Sequence, residues 1–171
     1  GRAWIVKNLK GNESVGSIVS LINSKSKQSE EVTVSDFEFE KSQVINQIEI
    51  FEDSCDGVVA IGDKDFPQYR GTVKESERPI FLFYKGDLSL LDLENDNITV
   101  IGLLNPDEAI ESRERKIVAE IVKRDITIVS GLAFGCDSIA HKQALIGGKT
   151  VAILPSPLSK IMPAENKGLA F

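Results

Sequence analysis

The stretch from Ile126 to Leu154 restricts the fold of this chain more than any other part. It begins with the apolar run Ile126–Val129, continues through a glycine-rich turn into a helical pattern of apolar residues, and ends with a second apolar run, Val151–Leu154. A strand, a helix and a strand in this order form a βαβ unit, in which the two strands lie parallel in one sheet. Because ligands of parallel sheets bind beyond the carboxyl ends of the strands, we expect the functional site at the glycine-rich turn.

A similar strand and helix pattern precedes this stretch. The apolar run Ile98–Ile101 ends at Gly102, and Asn105-Pro106 is typical of a helix start. An apolar stripe then predicts a helix that reaches about Arg124. Together the two patterns predict three parallel strands with two intervening helices. Since the chain stops at Phe171, shortly after another helical pattern begins, we expect it to be the N-terminal portion of a longer doubly wound α/β domain.

Residues 1–56 show a different pattern. Apolar residues recur at helical spacing, and the last helix of this region is predicted to end near Glu52. From Gly57 onward the pattern changes to short strands, among them the continuous apolar run Pro79–Tyr84, which predicts a buried strand. We therefore predict a small helical N-terminal module over residues 1–56 and an α/β domain over residues 57–171.

The composition limits the class of protein. Hydrophobic residues make up 42% of the chain and charged residues 27%, which is typical of a globular protein. No apolar run approaches the roughly 18 residues that cross a membrane, so we expect no membrane partner. The two cysteines, Cys55 and Cys136, have no metal-ligand spacing and suggest no disulfide framework, which predicts a cytoplasmic protein without a bound metal.

The formal net charge of −6 argues against a nucleic-acid partner, because such proteins usually present a basic face. The acidic residues are concentrated upstream of the βαβ unit. Residues 29–56 carry nine acidic residues against Lys41 alone, whereas residues 97–171 carry eight acidic and nine basic residues. The candidate site is therefore expected to be nearly neutral.

The turn from Ser130-Gly131 to Gly135 resembles a phosphate-binding loop. Glycines let backbone N–H groups approach an anion, and the dipole of the following helix would favour it. The turn matches neither the dinucleotide-binding fingerprint nor a Walker loop, since no GK[ST] sequence follows. An ordinary tight turn between a strand and a helix would have the same glycines, so both interpretations stay open.

Side chains near this turn have structural as well as functional interpretations. Asp137 is predicted to be the N-cap of the following helix, and His141, one helical turn later, could hydrogen-bond to it. We interpret His141 as structural and predict no catalytic residue, because the sequence offers no serine or cysteine nucleophile with a fixed partner. Phe134 could stack on a nucleobase or pack against a neighbouring loop.

Beyond the last predicted strand, the proline-rich segment 155–166 is expected to form a wall of the glycine-rich turn. Lys160 and Lys167 are the positive charges in or next to this segment. Lys149 would lie at the opposite, amino end of the strand, where we interpret it as a solvated edge residue.

Several spaced motifs together resemble the DprA/Smf family. Residues 130–137 read SGLAFGCD where the family has roughly SGLARGID. Further matches, in the same order as in the family, are Asp65-Phe66-Pro67, Phe83-Tyr84-Lys85-Gly86-Asp87, Ala140-His141, Ala144-Leu145, Gly148 to Leu154, and Met162-Pro163 with Asn166. The resemblance covers about residues 58–171.

This resemblance implies an extended Rossmann-like domain that binds single-stranded DNA, helps to load a RecA-type recombinase and forms a homodimer. It implies neither catalytic turnover nor a cofactor. The residues that would contact DNA phosphates and bases at the strand ends are Gly102, Ser130, Gly131, Phe134, Gly135, Lys160 and Asn166. Asp137 and His141 are expected to be structural parts of the same site.

Two positions depart from the family pattern. The family's G[ST]R turn is Gly102-Leu103-Leu104 here, and the arginine of SGLARG is Phe134. Losing two cations would weaken the contacts to phosphates and flatten the salt dependence of binding.

An alternative function is that of a nucleotide- or nucleotide-derivative-binding sensor of the same Rossmann-like superfamily, without a role on DNA. An enzyme of the phosphoribohydrolase type is a third possibility. It would need a GGGxGxM[GA]-like loop followed by an acidic catalytic motif, and the sequence contains neither.

Overall fold

The structure is a computed structural model that describes residues 2–25, 30–49, 54–68, 73–74 and 77–171. The chain divides into two compact units, Gly1–Gly86 and Asp87–Phe171, which we describe separately. The domain boundary predicted between residues 56 and 57 stays a prediction. Among the described residues, no helix is long and apolar enough to cross a membrane.

The first unit begins with helices α1 (Arg2–Asn8), α2 (Val15–Lys25) and α3 (Val34–Glu49). A reciprocal capping pair starts α3: the Asp36 N–H donates to Thr33 Oγ1 at 3.1 Å, and the Thr33 N–H donates to Asp36 Oδ2 at 2.9 Å. Helices were predicted for this region and are present. The predicted helix end near Glu52 lies outside the described residues.

An antiparallel pair of strands completes the described part of the first unit. Strand β1 (Gly57–Ala60) pairs with β2 (Phe81–Tyr84), with Gly57 opposite Tyr84. The prediction of a buried strand at residues 79–84 is wrong, because Phe81 is 52% exposed and Phe83 is 38% exposed. Their side chains point to the same face of the strand, and the two rings contact each other edge to face at 5.7 Å. An antiparallel pair can leave one face in solvent, which a run of apolar residues does not reveal.

The second unit, all of whose residues are described, contains a three-stranded parallel sheet. Its strands are β3 (Asn97–Thr99), β4 (Thr127–Ser130) and β5 (Thr150–Ala152), in the order β3-β4-β5. In register, Ile98 lies opposite Ile128, which lies opposite Thr150. Helices α4 (Glu108–Val122) and α5 (Cys136–Ala144) connect consecutive strands. The predicted α/β fold with parallel strands is confirmed and is consistent with a Rossmann-like sheet.

Helix α4 begins later than the predicted start at Asn105-Pro106. Asp107 is its N-cap, and Asp107 Oδ1 accepts a hydrogen bond from the Ile110 N–H at 2.8 Å. The helix ends at Val122, two residues before the predicted end. The N-cap carboxylate therefore sets the start of α4, and the preceding residues remain free to form a loop at the end of β3.

The core of the second unit lies where α4 and α5 pack on β4. Val118, Ile128, Ala140 and Ala144 are completely buried. The two alanines have short side chains, so α5 packs close to its neighbours. Gly148, just after α5, also packs closely against α4, because a Cβ atom at this position would lie 2.5 Å from Val122 Cγ1. This packing holds α5 against α4 and β4.

Candidate functional site at the carboxyl ends of the strands

The glycine-rich turn, residues 131–135, joins β4 to α5 and is fixed by the loop that follows β3. The Cys136 N–H donates to the Leu103 carbonyl at 2.9 Å. Gly135 is the N-cap of α5 with φ 71° and ψ −127°, a conformation that residues with a Cβ rarely adopt. A Cβ at this position would also collide with the carbonyl oxygens of Leu103 and Leu104. The turn therefore requires glycine at position 135 for two separate reasons.

Gly102 lies against the buried Cys136 at the start of α5. A Cβ on Gly102 would be 2.6 Å from Cys136 Sγ, so glycine is needed for this close approach. Burial, and next the neighbouring Glu114 carboxyl group, raise the pKa of the Cys136 thiol. The thiol is therefore protonated at neutral pH and is a poor nucleophile. We interpret Cys136 as a residue that packs in the interior.

The prediction that Asp137 is the N-cap of α5 is wrong. Gly135 occupies that position, and Asp137 lies in the first turn of the helix. Its Oδ2 accepts a hydrogen bond from the Ala133 N–H at 3.1 Å and lies 2.5 Å from where a Cβ on Gly131 would be. The glycine-rich turn folds back over the start of α5, which brings the Ala133 N–H to the Asp137 carboxylate. Asp137 thus closes the turn and explains the need for glycine at position 131.

His141 is only 2% exposed and connects the turn to β5. Its Nε2 lies 2.6 Å from the Gly131 carbonyl oxygen, and its Nδ1 lies 2.6 Å from Thr150 Oγ1. Because a carbonyl oxygen only accepts, Nε2 must carry a hydrogen. The hydrogen bond between His141 and Asp137 that the helical spacing suggested is replaced by these two contacts. His141 instead anchors the first glycine of the turn to the sheet.

The Ser130 side chain is buried and bridges two strands. Its Oγ donates to the Val100 carbonyl at 2.6 Å, next to the end of β3. This bond continues the connection between β3 and β4 to the point where the glycine-rich turn begins. The structure thus gives the hydroxyl group a role inside the sheet, while its predicted contact with DNA stays a prediction.

The segment 155–166 reaches the glycine-rich turn through its last residue. Asn166 is buried, and its Nδ2 donates to the Leu132 carbonyl at 2.9 Å and to the Ala133 carbonyl at 3.2 Å. Lys160 is exposed, and its N–H donates to the Pro157 carbonyl within its own turn. The structure therefore brings Asn166, and not Lys160, into direct contact with the turn.

Lys149 lies at the amino end of β5, as predicted. Its Nζ is 2.9 Å from Asp125 Oδ1, and both side chains are largely exposed. This ion pair lies at the end of the sheet opposite to the glycine-rich turn.

A comparison of the sequence with known protein families decides the relationship. Residues 57–171 match the sequence model of the family described as DNA recombination-mediator protein A. The chain belongs to this family. The resemblance to DprA/Smf proteins predicted from the spaced motifs is thereby confirmed.

Curated DprA and Smf proteins are similar to this chain over part of their length. The DNA processing protein DprA of Streptococcus pneumoniae is 37% identical over 97 residues, which are 54% of this chain and 32% of that protein. The Bacillus subtilis DNA processing protein DprA is 30% identical over 113 residues, or 66% of this chain and 37% of that protein. Protein Smf of Synechocystis is 33% identical over 110 residues, or 63% and 27%. The chain thus spans about a third of the length of these relatives.

A solved structure shows the same likeness in three dimensions. The X-ray structure of DNA processing protein A from Streptococcus pneumoniae superposes with a TM-score of 0.67 at 26% identity. The superposition covers 99% of this chain and 56% of that one.

The surface at this family's glycine-rich turn is apolar in this chain. Phe134 is 46% exposed, and Leu104, which stands where the DprA/Smf pattern has an arginine, is 60% exposed. Ile101 and Leu103 on the loop after β3 are also exposed. The two departures noted in the sequence therefore place apolar side chains on the surface where DprA/Smf-type motifs carry cations.

A groove next to this surface contains charged residues that the sequence analysis missed. We call it the α4–α5 groove. It has a volume of about 390 Å³, and its walls include Leu104, Pro106, Glu111, Arg115, Phe134 and Lys142. Glu111 and Arg115 are four residues apart on α4, a spacing that predicts an ion pair. The apolar stripe of α4 predicts a core helix and carries no information on the polar face, where Glu111 and Arg115 lie.

We expect that replacing Asn166 destabilises the glycine-rich turn. Asn166→Ala removes two hydrogen bonds, and Asn166→Asp replaces the donating amide by a carboxylate that the two carbonyl oxygens repel. The free energy of unfolding should fall by about 2 kcal/mol for Asn166→Ala, and further for Asn166→Asp. Urea denaturation followed by circular dichroism measures both. If Asn166 acts only as a DNA contact, both variants will have the stability of the unchanged protein.

Proposed function

We propose that this chain binds single-stranded DNA at the carboxyl ends of β3 and β4 and acts in DNA processing during DNA uptake. Membership of the DNA recombination-mediator protein A family supports a DNA-processing role. In this proposal the chain is not an enzyme, it forms a homodimer, and a RecA-type recombinase receives the DNA strand from it.

The observation on which the proposal rests most is the exposed Phe134 on a rigidly held turn. Asp137, His141 and Asn166 bind backbone groups of the turn, so its shape is set by the fold before any ligand arrives. An aromatic ring on such a turn can stack on a base of any sequence. A preformed site also loses little entropy on binding. Gly102, Gly131 and Gly135 would allow the strand to approach the backbone closely.

The turns at the strand ends lack the two arginines of the DprA/Smf pattern, and this absence determines how binding should depend on salt. Stacking on aromatic and apolar side chains depends little on salt, whereas each phosphate contact makes binding fall with salt concentration. We therefore expect weaker affinity and a flatter salt dependence than in a protein with both arginines of the DprA/Smf pattern. Lys160 is exposed and can swing toward a phosphate from the neighbouring segment.

The direct test is fluorescence anisotropy of a labelled single-stranded oligonucleotide titrated with the protein at low and moderate salt. Phe134→Ala should weaken binding at least about five-fold, since stacking on one base contributes roughly 1–3 kcal/mol. Lys160→Ala should reduce affinity at low salt more than at moderate salt. Leu145→Ala, which removes an exposed apolar side chain at the other end of α5, is the matched control and should bind normally. Absence of binding by the unchanged protein at both salt concentrations would refute the proposal.

The α4–α5 groove also favours a second candidate function, a nucleotide-binding sensor. It is an open depression of about 390 Å³ that a small ligand could enter from solvent. Thermal unfolding in the presence of a panel of nucleotides tests this alternative. The sensor function is favoured if a nucleotide raises the melting temperature of the protein and the protein does not bind the oligonucleotide.

The proposed partners need separate measurements. Light scattering coupled to size-exclusion chromatography reports whether the chain forms a dimer. Loading of a RecA-type recombinase would appear as faster filament assembly on single-stranded DNA that the protein has bound beforehand.

A further inference from the structure

We propose that Arg115 and Lys142 in the α4–α5 groove bind backbone phosphates of the single strand, and that Glu111 limits this binding by holding Arg115. This inference rests on the proposed function, because it concerns the same strand whose base stacks on Phe134. It assigns the positive charge of the site to two helices instead of to the turns where the DprA/Smf pattern has its arginines.

A phosphate can take the place of the Glu111 carboxylate in the ion pair with Arg115. Arg115 Nε lies 3.0 Å and Arg115 Nη2 lies 2.6 Å from the same oxygen, Glu111 Oε1. Guanidinium groups bind carboxylates and phosphates with the same pair of N–H donors. The side chains of Arg115 and Glu111 are 37% and 40% exposed, so an incoming phosphate can reach Arg115 from solvent. Glu111 and a phosphate therefore compete for the edge of the guanidinium group that carries Nε and Nη2.

Lys142 provides a second positive charge in the groove. It lies on α5, is exposed, and forms no ion pair with any residue in the part of the chain that the structure describes. Phe134 lines the same groove, so one strand can place a base on its ring and a neighbouring phosphate near Lys142. With Glu111 paired to Arg115, these three charged residues give the groove a net charge of one positive unit. Binding a phosphate to Arg115 through Nε and Nη2 as well requires Glu111 to release these two donors.

Glu111→Gln tests the competition directly. The glutamine side chain keeps the size of glutamate but binds the guanidinium group less strongly. Binding of a labelled single-stranded oligonucleotide at low salt should become about two- to five-fold tighter, since an exposed ion pair of this kind is worth only that much. The plot of log K against log salt concentration should also become steeper by about 0.7 for one additional phosphate contact on a single strand.

The double variant Glu111→Gln with Arg115→Gln shows whether the increase in affinity and in salt dependence depends on Arg115. If it does, the second substitution removes the whole increase in affinity and in slope. Lys142→Gln should independently weaken binding and flatten the slope by about 0.7. Glu120→Gln is the matched control, because Glu120 also lies on α4 and forms an ion pair, with Lys123 just after the helix end at 2.5 Å, but does not line the groove. It removes one negative charge and should leave affinity within about a factor of two, as expected for a distant, screened charge.

The outcomes separate this inference from the proposed function. If the unchanged protein binds the oligonucleotide and Glu111→Gln, Arg115→Gln and Lys142→Gln bind equally well, the inference is wrong while the proposed function stands. A gain in Glu111→Gln that the double variant keeps, or that Glu120→Gln equals, would also overturn it, because the effect would then be general electrostatics. Absence of binding in every variant and in the unchanged protein would refute both. Circular dichroism of each variant confirms that the fold is intact.

Discussion

Gly135→Ala is expected to lower the free energy of unfolding of the second unit by about 3 kcal/mol. Two effects add at this position. With φ at 71° and ψ at −127°, an alanine would adopt a backbone conformation that is unfavourable for every residue with a Cβ. Its Cβ would also collide with the carbonyl oxygens of Leu103 and Leu104. These are backbone atoms, and the bond from the Cys136 N–H to the Leu103 carbonyl holds them in place.

Two other glycines of the second unit serve as graded controls for Gly135→Ala. Gly147 has a φ of 92° but open space around it, so Gly147→Ala should show the conformational cost alone, about 1 kcal/mol. Gly168 has open space and an ordinary φ, so Gly168→Ala should change the stability by less than about 0.5 kcal/mol. Urea denaturation of all three variants gives the comparison. Equal stability of Gly135→Ala and Gly147→Ala would show that the loop after β3 moves away at no cost.

The parallel sheet could be predicted from the sequence because its signals are local. Two apolar runs on either side of a helical stretch permit few arrangements other than a βαβ unit, and the glycines mark its turns. The exposure of β2 could not be predicted in this way. Residues 79–84 are apolar at successive positions, and whether Phe81 and Phe83 are covered depends on which elements pack against the strand. Residue pattern alone does not contain that information.

The interior of the candidate site was predictable in its position but not in its contacts. Asp137 has the side chain and the place of an N-cap, yet it binds the Ala133 N–H because the turn folds back onto the helix. Asn166 contacts Leu132 and Ala133 across more than thirty residues of sequence. Contacts of this kind depend on how the loops meet in space. No short-range spacing in the sequence reports them.

The structure suggests how a DprA/Smf-type site can keep its shape while its charge changes. The side chains that shape the turn bind its backbone, and two of them, His141 and Asn166, are buried, whereas the side chains of Leu104 and Phe134 are exposed. A substitution of an exposed residue therefore alters what the surface attracts without altering the scaffold. Under the proposal above, positive charge at Arg115 and Lys142 on the adjoining helices substitutes in part for the charge that is missing from the turns.

His141→Leu is expected to have the second large effect, a loss of about 3 kcal/mol in the free energy of unfolding. Leucine fills a similar volume but cannot bind the Gly131 carbonyl or Thr150 Oγ1, each of which lies 2.6 Å from a ring nitrogen of His141. The Gly131 carbonyl and the Thr150 hydroxyl would each lose a partner in an environment with little water. Because Gly131 is the first glycine of the turn, hydrogen exchange of residues 131–135 should speed up by more than that of α4.

His141→Gln is the variant that separates the loss of hydrogen bonding from the loss of packing. The glutamine amide nitrogen reaches about as far as Nε2 of histidine and can still donate to the Gly131 carbonyl, so roughly half of the stability should return. Thr150→Val removes the other contact, together with the bond that Thr150 Oγ1 donates to the Ile128 carbonyl at 3.0 Å, and should cost about 1–2 kcal/mol by itself. In the double variant His141→Leu with Thr150→Val, the loss should be smaller than the sum of the two single losses, because both substitutions remove the hydrogen bond between His141 and Thr150. Full additivity would mean that the contact between His141 and Thr150 contributes nothing to stability. Equal stability of His141→Leu and His141→Gln would mean the same for the bond to the Gly131 carbonyl.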